Sequence, residues 1–280
     1  MAPDEQPSPL TKRFPEWFAL SRAFFELNNL VISNWQHKGC ELHQLELHQI
    51  IIAFNHYKAT NAFLATTQLC SLGLVGDAKT ICRKLIDLCI NMSYLAQDRE
   101  HRQDQYWNFV AFSTVKQIKK KFKQIGTDAN RAGEFEFLNQ IESLRVAFDQ
   151  WVQRAKEKFE RDEFGEVLGD PSKSWSGLHL EEMAKRCGLS WDYIDPYVMF
   201  CRSTHASMDD FTNYCDLSKQ EFGSHFEHSD VPLVMHEACR CYWWLLMMSV
   251  SAYHLDLVRS LYRLLDDLRV AERKYFPQDR

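Results

Sequence analysis

The run "DAKTICRKLIDLCINMSYLAQ" sets Ile81, Leu85, Leu88, Met92 and Leu95 three or four residues apart. A helix turns that spacing into one apolar face, which a strand cannot do. Similar runs recur along most of the chain, and the 10 glycines fall mostly between them, as expected of helices joined by short loops. No convincing alternating strand pattern is present. The sequence therefore predicts an all-α protein, a multi-helix bundle with a long helical hairpin packed beside it.

The boundaries follow from turn chemistry. A first helix is expected from near Phe14, with Pro15 in its first turn where a missing N–H costs nothing, to just before Gly39. A second is expected over about 41–72, with Leu42, Leu45, Ile52 and Phe63 as core candidates, and a third over about 77–97. Two charged helices, about 104–125 and 134–164, form the expected protruding pair. The turn-rich "GEVLGDPSKSWSG" ends that pair, and "HLEEMAKRCG" makes a short helix closed by Gly188. Asp195 then Pro196 reads as an N-cap and first helical residue of a helix over about 196–214, and one long helix runs from Pro232 past Arg273. Residues 1–13 read as a flexible leader and 14–280 as a single helical domain.

A formal net charge of -5 excludes a protein that coats nucleic acid through bulk charge, although a local basic patch can still bind it. The nine cysteines are odd in number and contain no C-x-x-C pair, so they read as reduced, buried thiols of a cytoplasmic protein. "MAPDEQPSPLTKR" lacks the basic-then-apolar order of a signal peptide. "YWWLLMMSVSAY" is too short to span a bilayer, so no membrane association is expected.

Four positions stand out chemically. Arg83 and Asp87 lie four residues apart in the third helix amid apolar neighbours, where a charge is costly unless it meets another polar group. In "DPYVMFCRSTHASMDD", Arg202 and His205 share one helix face. Either these groups move protons and hold anions, or they form a polar seam that fixes helix packing. Lys116, Lys119, Lys120 and Lys123 follow helical spacing and make one positive stripe, which as a solvated face needs no ligand and as a binding face would take phosphates. Tyr193 and Tyr197 could stack on a base, though aromatics at such spacing are more often core.

Metal chemistry is not expected. His43 and His48 point to different sides of a helix, and His236 and Glu237 begin a zinc-protease pattern in which Arg240 stands where the second histidine belongs. The span holding His225, His228, Cys239 and Cys241 lacks structural-zinc spacing. No Gly-rich phosphate loop or nucleophile elbow is present, and no cofactor is implied.

The segments "AKTICRKLIDLCINMSYLAQD", "YWNFVAFSTVK" and "WSGLHLEEMAKRCGLSWDYIDPYVMFCRSTHAS" together resemble a prokaryotic all-helical family catalogued only as a domain of unknown function (DUF5677). The resemblance spans Ala78 to Ser207. It brings no established activity. A weaker similarity, Arg202 and His205 close together on one helix, is to helical ribonucleases of the HEPN type, which promote attack of an RNA 2′-OH on the adjacent phosphate without metal. That likeness implies His205 as general acid or base, Arg202 or Arg83 on the phosphate and Asp87 beside them. The expected function is thus metal-independent RNA cleavage or RNA binding in a prokaryotic or phage-borne defence or toxin–antitoxin setting. The rival expectation is a non-catalytic interaction module or regulatory subunit in which the same groups are structural. RNA, or a protein partner such as an antitoxin, would be the partner, and a homodimer is compatible with either reading.

Overall fold

The computed structural model describes residues 8–37, 44–109, 117, 120, 150, 153, 174–190, 193–202, 215–216, 221–222 and 228–276; of 194, 202, 215, 216, 221 and 222 it describes the backbone alone. The described residues fall into two compact units, one within Met1–Ser93 and Ala184–Arg280, the other within Tyr94–Met183.

In the first unit the helices are α1 (Pro9–Arg13), α2 (Pro15–His37), α3 (Leu47–Leu72) and α4 (Val75–Gln97, whose last turn enters the second unit). After them come α5 (Leu180–Arg186, whose residues through Met183 belong to the second unit), a wide π turn (Tyr193–Tyr197), α6 (Val198–Arg202), α7 (Val231–Ala252) and α8 (Val258–Tyr275). The all-α expectation holds. Among the described residues the exception is a two-residue antiparallel pair, β1 (Cys215–Asp216) with β2 (Glu221–Phe222), in register Cys215↔Phe222.

Helix α7 is the axis of this unit and packs against α3, α8 and α2. Its buried residues, from Glu237 and Cys241 through Val234, Ala238 and Tyr242 to Leu246 and Val250, span more than half of its circumference, as a helix packed against three others requires. Tyr242 stacks on Phe63 of α3 at 4.4 Å between ring centroids and meets Phe24 of α2 at 6.0 Å. Burying side chains of this size contributes ~2–3 kcal/mol each. The apolar run of α7 is therefore core, and among the described residues no helix is long and apolar enough to cross a membrane.

The helix ends show which signals act. Gly73 adopts φ 80° after α3, and Leu74 N–H donates to Leu69 O at 2.9 Å, closing the orphan carbonyls. Gly188 at φ 72° ends α5 in the same way, with Leu189 N–H bonded to Ala184 O at 2.8 Å. The single helix expected from Pro232 past Arg273 is instead two. His254 takes φ 48°, Leu255 N–H reaches Val250 O at 2.9 Å, and α8 restarts at Val258. Buried Tyr253 and Leu255 hold this break, and the Tyr253 hydroxyl donates to Gln49 O at 2.8 Å, so tertiary contacts stabilise a left-handed residue that is not glycine.

Two further differences concern helix starts. Where a flexible leader is expected to residue 13, Pro9–Arg13 is already helical: Ser8 Oγ accepts from Thr11 N–H at 3.3 Å and donates to Ser71 O at 2.7 Å, and Leu10 is buried. Asp195 and Pro196, expected to cap and open a helix, lie inside the π turn; proline cannot supply the next N–H bond, and the widened turn accommodates that loss. The helix expected over 196–214 is described only to Arg202.

In the second unit residues 99–109 are helical after a turn at Asp98, and Gln117, Lys120, Gln150 and Gln153 are also helical. The rest of the expected pair over 104–164 lies outside the described residues. Trp175 packs edge-on against Tyr94 and Tyr106, at 5.7 and 5.1 Å, and the Arg102 guanidinium sits 3.7 Å above the Tyr94 ring.

Candidate functional site

Arg83 and Asp87 occupy successive turns of α4, and both are half-buried. They do not close an ion pair on each other. Arg83 instead donates to Cys201 Sγ at 3.5 Å, and its guanidinium lies 5.8 Å from the centroid of the Tyr197 ring. Tyr197 stacks on Tyr193, centroids 5.0 Å apart and planes at 21°, because the π turn brings residues four apart into one column. Both expected tyrosines thus stand in one aromatic pair, with the expected arginine against it.

Asp87 takes a hydrogen bond from Asn91 Nδ2 at 3.0 Å, and the same amide also reaches Asp87 O at 2.7 Å. Burial raises the Asp87 carboxyl above the ordinary aspartate range, against the lowering pull of Arg83, Asn91 and Lys58. The Tyr197 phenol is pushed up to about 12, first by desolvation and then by the Asp87 charge. The two groups therefore feel each other's field.

On its other side Asp87 lines a cavity of about 480 Å³ between α3 and α4. Lys58, Asn61 and Lys84 supply its remaining polar groups, and Ile81, Leu88, Ala62 and Ala65 its apolar surface. Ile81 and Leu88, expected as core, are half-buried here, while Cys82, Leu85, Ile86, Cys89 and Ile90 take the sealed positions. Lys58 Nζ sits 4.6 Å from the Phe54 ring centroid. Phe54, Lys58 and Asn61 are all exposed, so this wall of the groove is open to solvent. Such a groove can hold an anion against its lysines, accept a hydrogen bond through Asp87 and cover an apolar surface.

Of the remaining expected residues, Arg202 is the last residue of α6, and its side chain lies outside the described residues, as do His205, Lys116, Lys119 and Lys123. Lys120 is helical and exposed in the second unit. Arg83 thus lies against the Tyr193–Tyr197 stack, with Asp87 one turn along α4, and the expected meeting of these two with Arg202 and His205 falls outside the described residues. Sequence reasoning missed Lys58, Asn61, Lys84 and Cys201; the i, i+3 pair Lys58 and Asn61 on a helix with a modest apolar bias was the available signal.

Two further polar clusters lie elsewhere in the first unit. In the bundle core Asn28 Oδ1 accepts from His56 Nε2 at 2.8 Å, from the Tyr242 hydroxyl at 2.8 Å and from Thr60 Oγ1 at 3.2 Å. His56 Nδ1 faces Ser249 Oγ at 2.9 Å. Desolvation lowers the His56 pKa to about 4, so the imidazole is neutral at physiological pH. Near the start of α7, Arg240 donates to Glu237 Oε2 through Nε and Nη2, at 3.1 and 2.6 Å, and His236 Nδ1 lies 3.1 Å from Glu237 Oε1. Arg240, which replaces a zinc-protease histidine, thereby neutralises the carboxylate that such a site would use. Among the described residues no group of three or more His, Cys, Asp or Glu side chains is placed to hold a metal ion.

A family model described as "Family of unknown function (DUF5677)" matches residues 49–223, well over half of the chain and including α3, α4 and the tyrosine pair. Neither a curated protein nor a solved structure matches it.

Proposed function

This chain belongs to the DUF5677 family of unknown function, and we propose that it binds single-stranded RNA at the Arg83–Asp87–Tyr197 site and cleaves it without a metal ion. The observation that carries the reading is the Tyr193–Tyr197 stack with the Arg83 guanidinium against it, beside a groove that presents Lys58 and Lys84. Unpaired bases stack on aromatic rings with little regard to sequence, and guanidinium and ammonium groups take the adjoining phosphates. This local arrangement supports binding despite the net charge of -5, because it concentrates cations where the rings are.

Cleavage needs one group to remove the 2′-OH proton, another to protonate the departing 5′-oxygen, and a cation to stabilise charge on the phosphorus-bound oxygens. Arg83 supplies the cation in this scheme, with Arg202 as the second candidate. His205 is assigned the general acid or base role, since imidazole exchanges protons near neutrality. Asp87, raised by burial, is the second group able to exchange a proton closer to neutral pH than an ordinary aspartate. A defence or toxin–antitoxin setting and a cytoplasmic location remain part of this proposal.

A second reading has one specific observation in its favour. Arg83 is already engaged by Cys201 and the Tyr197 ring, which joins α4 to α6 and its preceding turn, so the cluster could serve only to hold helices together in a non-catalytic interaction module. The two readings separate on one experiment: anisotropy and cleavage of a labelled single-stranded oligoribonucleotide in a chelator, with thermal unfolding of the same samples. The RNA reading expects Tyr197→Ala to lose ~1–3 kcal/mol of binding. It also expects His205→Ala to abolish cleavage at unchanged Tm. Absence of RNA binding by the wild type, with a large Tm loss in Arg83→Ala, would establish the structural role.

A further inference from the structure

The groove between α3 and α4 carries more chemistry than phosphate retention requires. Its about 480 Å³ lies within the range of ~300–1,000 Å³ typical of small-molecule sites. Lys58 comes from one helix and Lys84 from the other, so an anion could be held from two sides. Asp87 in the same lining would repel a bare anion. A ligand that suits all of these groups at once has an anionic end for the lysines, a hydroxyl donor for the carboxylate and a planar or apolar body for Ala62, Ala65, Ile81 and Leu88.

The geometry points to a ribonucleotide subsite: a phosphate on Lys58 and Lys84, a ribose hydroxyl donating to Asp87, and the base over the apolar surface of the groove. Carboxylates read ribose hydroxyls in dinucleotide sites by the same hydrogen bond. A purely apolar ligand would leave Lys58, Lys84, Asp87 and Asn61 without partners in the groove, and a metal ion would meet two ammonium groups beside a single carboxylate. The Phe54 ring, 4.6 Å from Lys58 Nζ, gives that ammonium a fixed neighbour and reduces the ordering that binding demands. Asn61 adds an amide that can donate to phosphate or meet a base edge.

The inference rests on the RNA reading and names what that site selects: ribose over deoxyribose. Because the hydroxyl meets a half-buried carboxylate, its removal takes one hydrogen bond from that group beyond the one Asn91 supplies, and discrimination follows from that loss.

The test is calorimetric titration of the full chain with adenosine 5′-monophosphate and with 2′-deoxyadenosine 5′-monophosphate, alongside anisotropy with an oligoribonucleotide. The wild type should bind the ribonucleotide, and the deoxy form should bind ~10-fold more weakly. Lys84→Ala should weaken both by ~10-fold, and Asp87→Asn should remove most of the preference between them, at unchanged or higher Tm. Equal affinity for the two sugars would overturn the role given to Asp87. No mononucleotide binding, with oligomer binding that Lys58→Ala and Lys84→Ala leave intact, would overturn the subsite and keep the RNA reading. Mononucleotide binding with ribose preference but no oligomer binding would support the subsite and overturn the RNA reading.

Discussion

His56 makes the fold sensitive to mild acid, by an amount that follows from its surroundings. The side chain is 1% exposed; one ring nitrogen donates to Asn28 Oδ1 and the other faces Ser249 Oγ. Trp35 and Tyr242 flank the ring at 4.8 and 6.4 Å, so the surroundings are aromatic and hydroxylic. Desolvation lowers its pKa from 6.5 to about 4. A histidine with a depressed folded pKa binds its proton more readily when unfolded, so stability is full above the unfolded value and falls as pH drops towards the folded one. Each pH step between the two costs ~1.4 kcal/mol, giving about 3 kcal/mol lost between pH 6.5 and 4. The assay is denaturant unfolding of the wild type and His56→Gln across pH 4 to 8. Glutamine is a non-titrating residue that can still offer a donor and an acceptor. The quantity of interest is the difference between the two profiles, because the surface carboxylates are common to both. His56→Gln should be less stable at pH 7.5 and close most of that gap by pH 4.5. Two parallel profiles would refute the claim that a neutral, desolvated imidazole sits in the core.

Other expectations follow from the same arguments. Removing the charge in Glu237→Gln takes away the buried carboxylate that His236 and Arg240 share, and allowing for the partial exposure of that arginine the loss should be roughly 2 kcal/mol by denaturant unfolding. Asp87 behaves oppositely: burial raises its pKa, so its ionised form costs stability as pH rises through the folded value, and Asp87→Asn should melt at or above the wild-type Tm at pH 8 while losing ribose preference. The Cys70 thiol is pushed up to about 12 by burial, and Cys82 and Cys239 are also raised. A thiol reagent at pH 8 should modify half-exposed Cys201 at least ~100-fold faster than these three, as read by peptide mass, and comparable rates would contradict the packing.

Much of the fold was legible where one residue type forces a local geometry. Pro15 opens α2, Gly188 closes α5, and the period of Ile81 to Leu95 lays out α4. The break at His254 was not legible, because its left-handed backbone is held by Tyr253 and Leu255 packing into the core rather than by a glycine. The π turn escaped notice for a related reason. Asp-Pro fits an ordinary helix start equally well, and only the preceding Tyr193 N–H bond to Leu189 O shows that the turn begins earlier.

The candidate site divides along the same line. Arg83 and Asp87 were readable because charge inside an apolar stripe is costly, and Tyr193 and Tyr197 because they lie one turn apart. Lys58 and Lys84 look like any exposed lysine until α3 and α4 are set side by side. The Asn28, His56, Thr60, Tyr242 and Ser249 network joins positions more than two hundred apart in sequence, and no local pattern carries such a contact.

Ultraviolet cross-linking of a photoreactive single-stranded oligoribonucleotide to the full chain, followed by mass-spectrometric mapping of the modified residues, asks whether RNA stacks on the tyrosine pair with Arg83 on its phosphate. Adducts are expected at Tyr193 or Tyr197, removed by an excess of unlabelled RNA and strongly reduced by Arg83→Ala. Competable adducts confined to other parts of the chain, or none at any RNA concentration, would contradict that placement of the RNA.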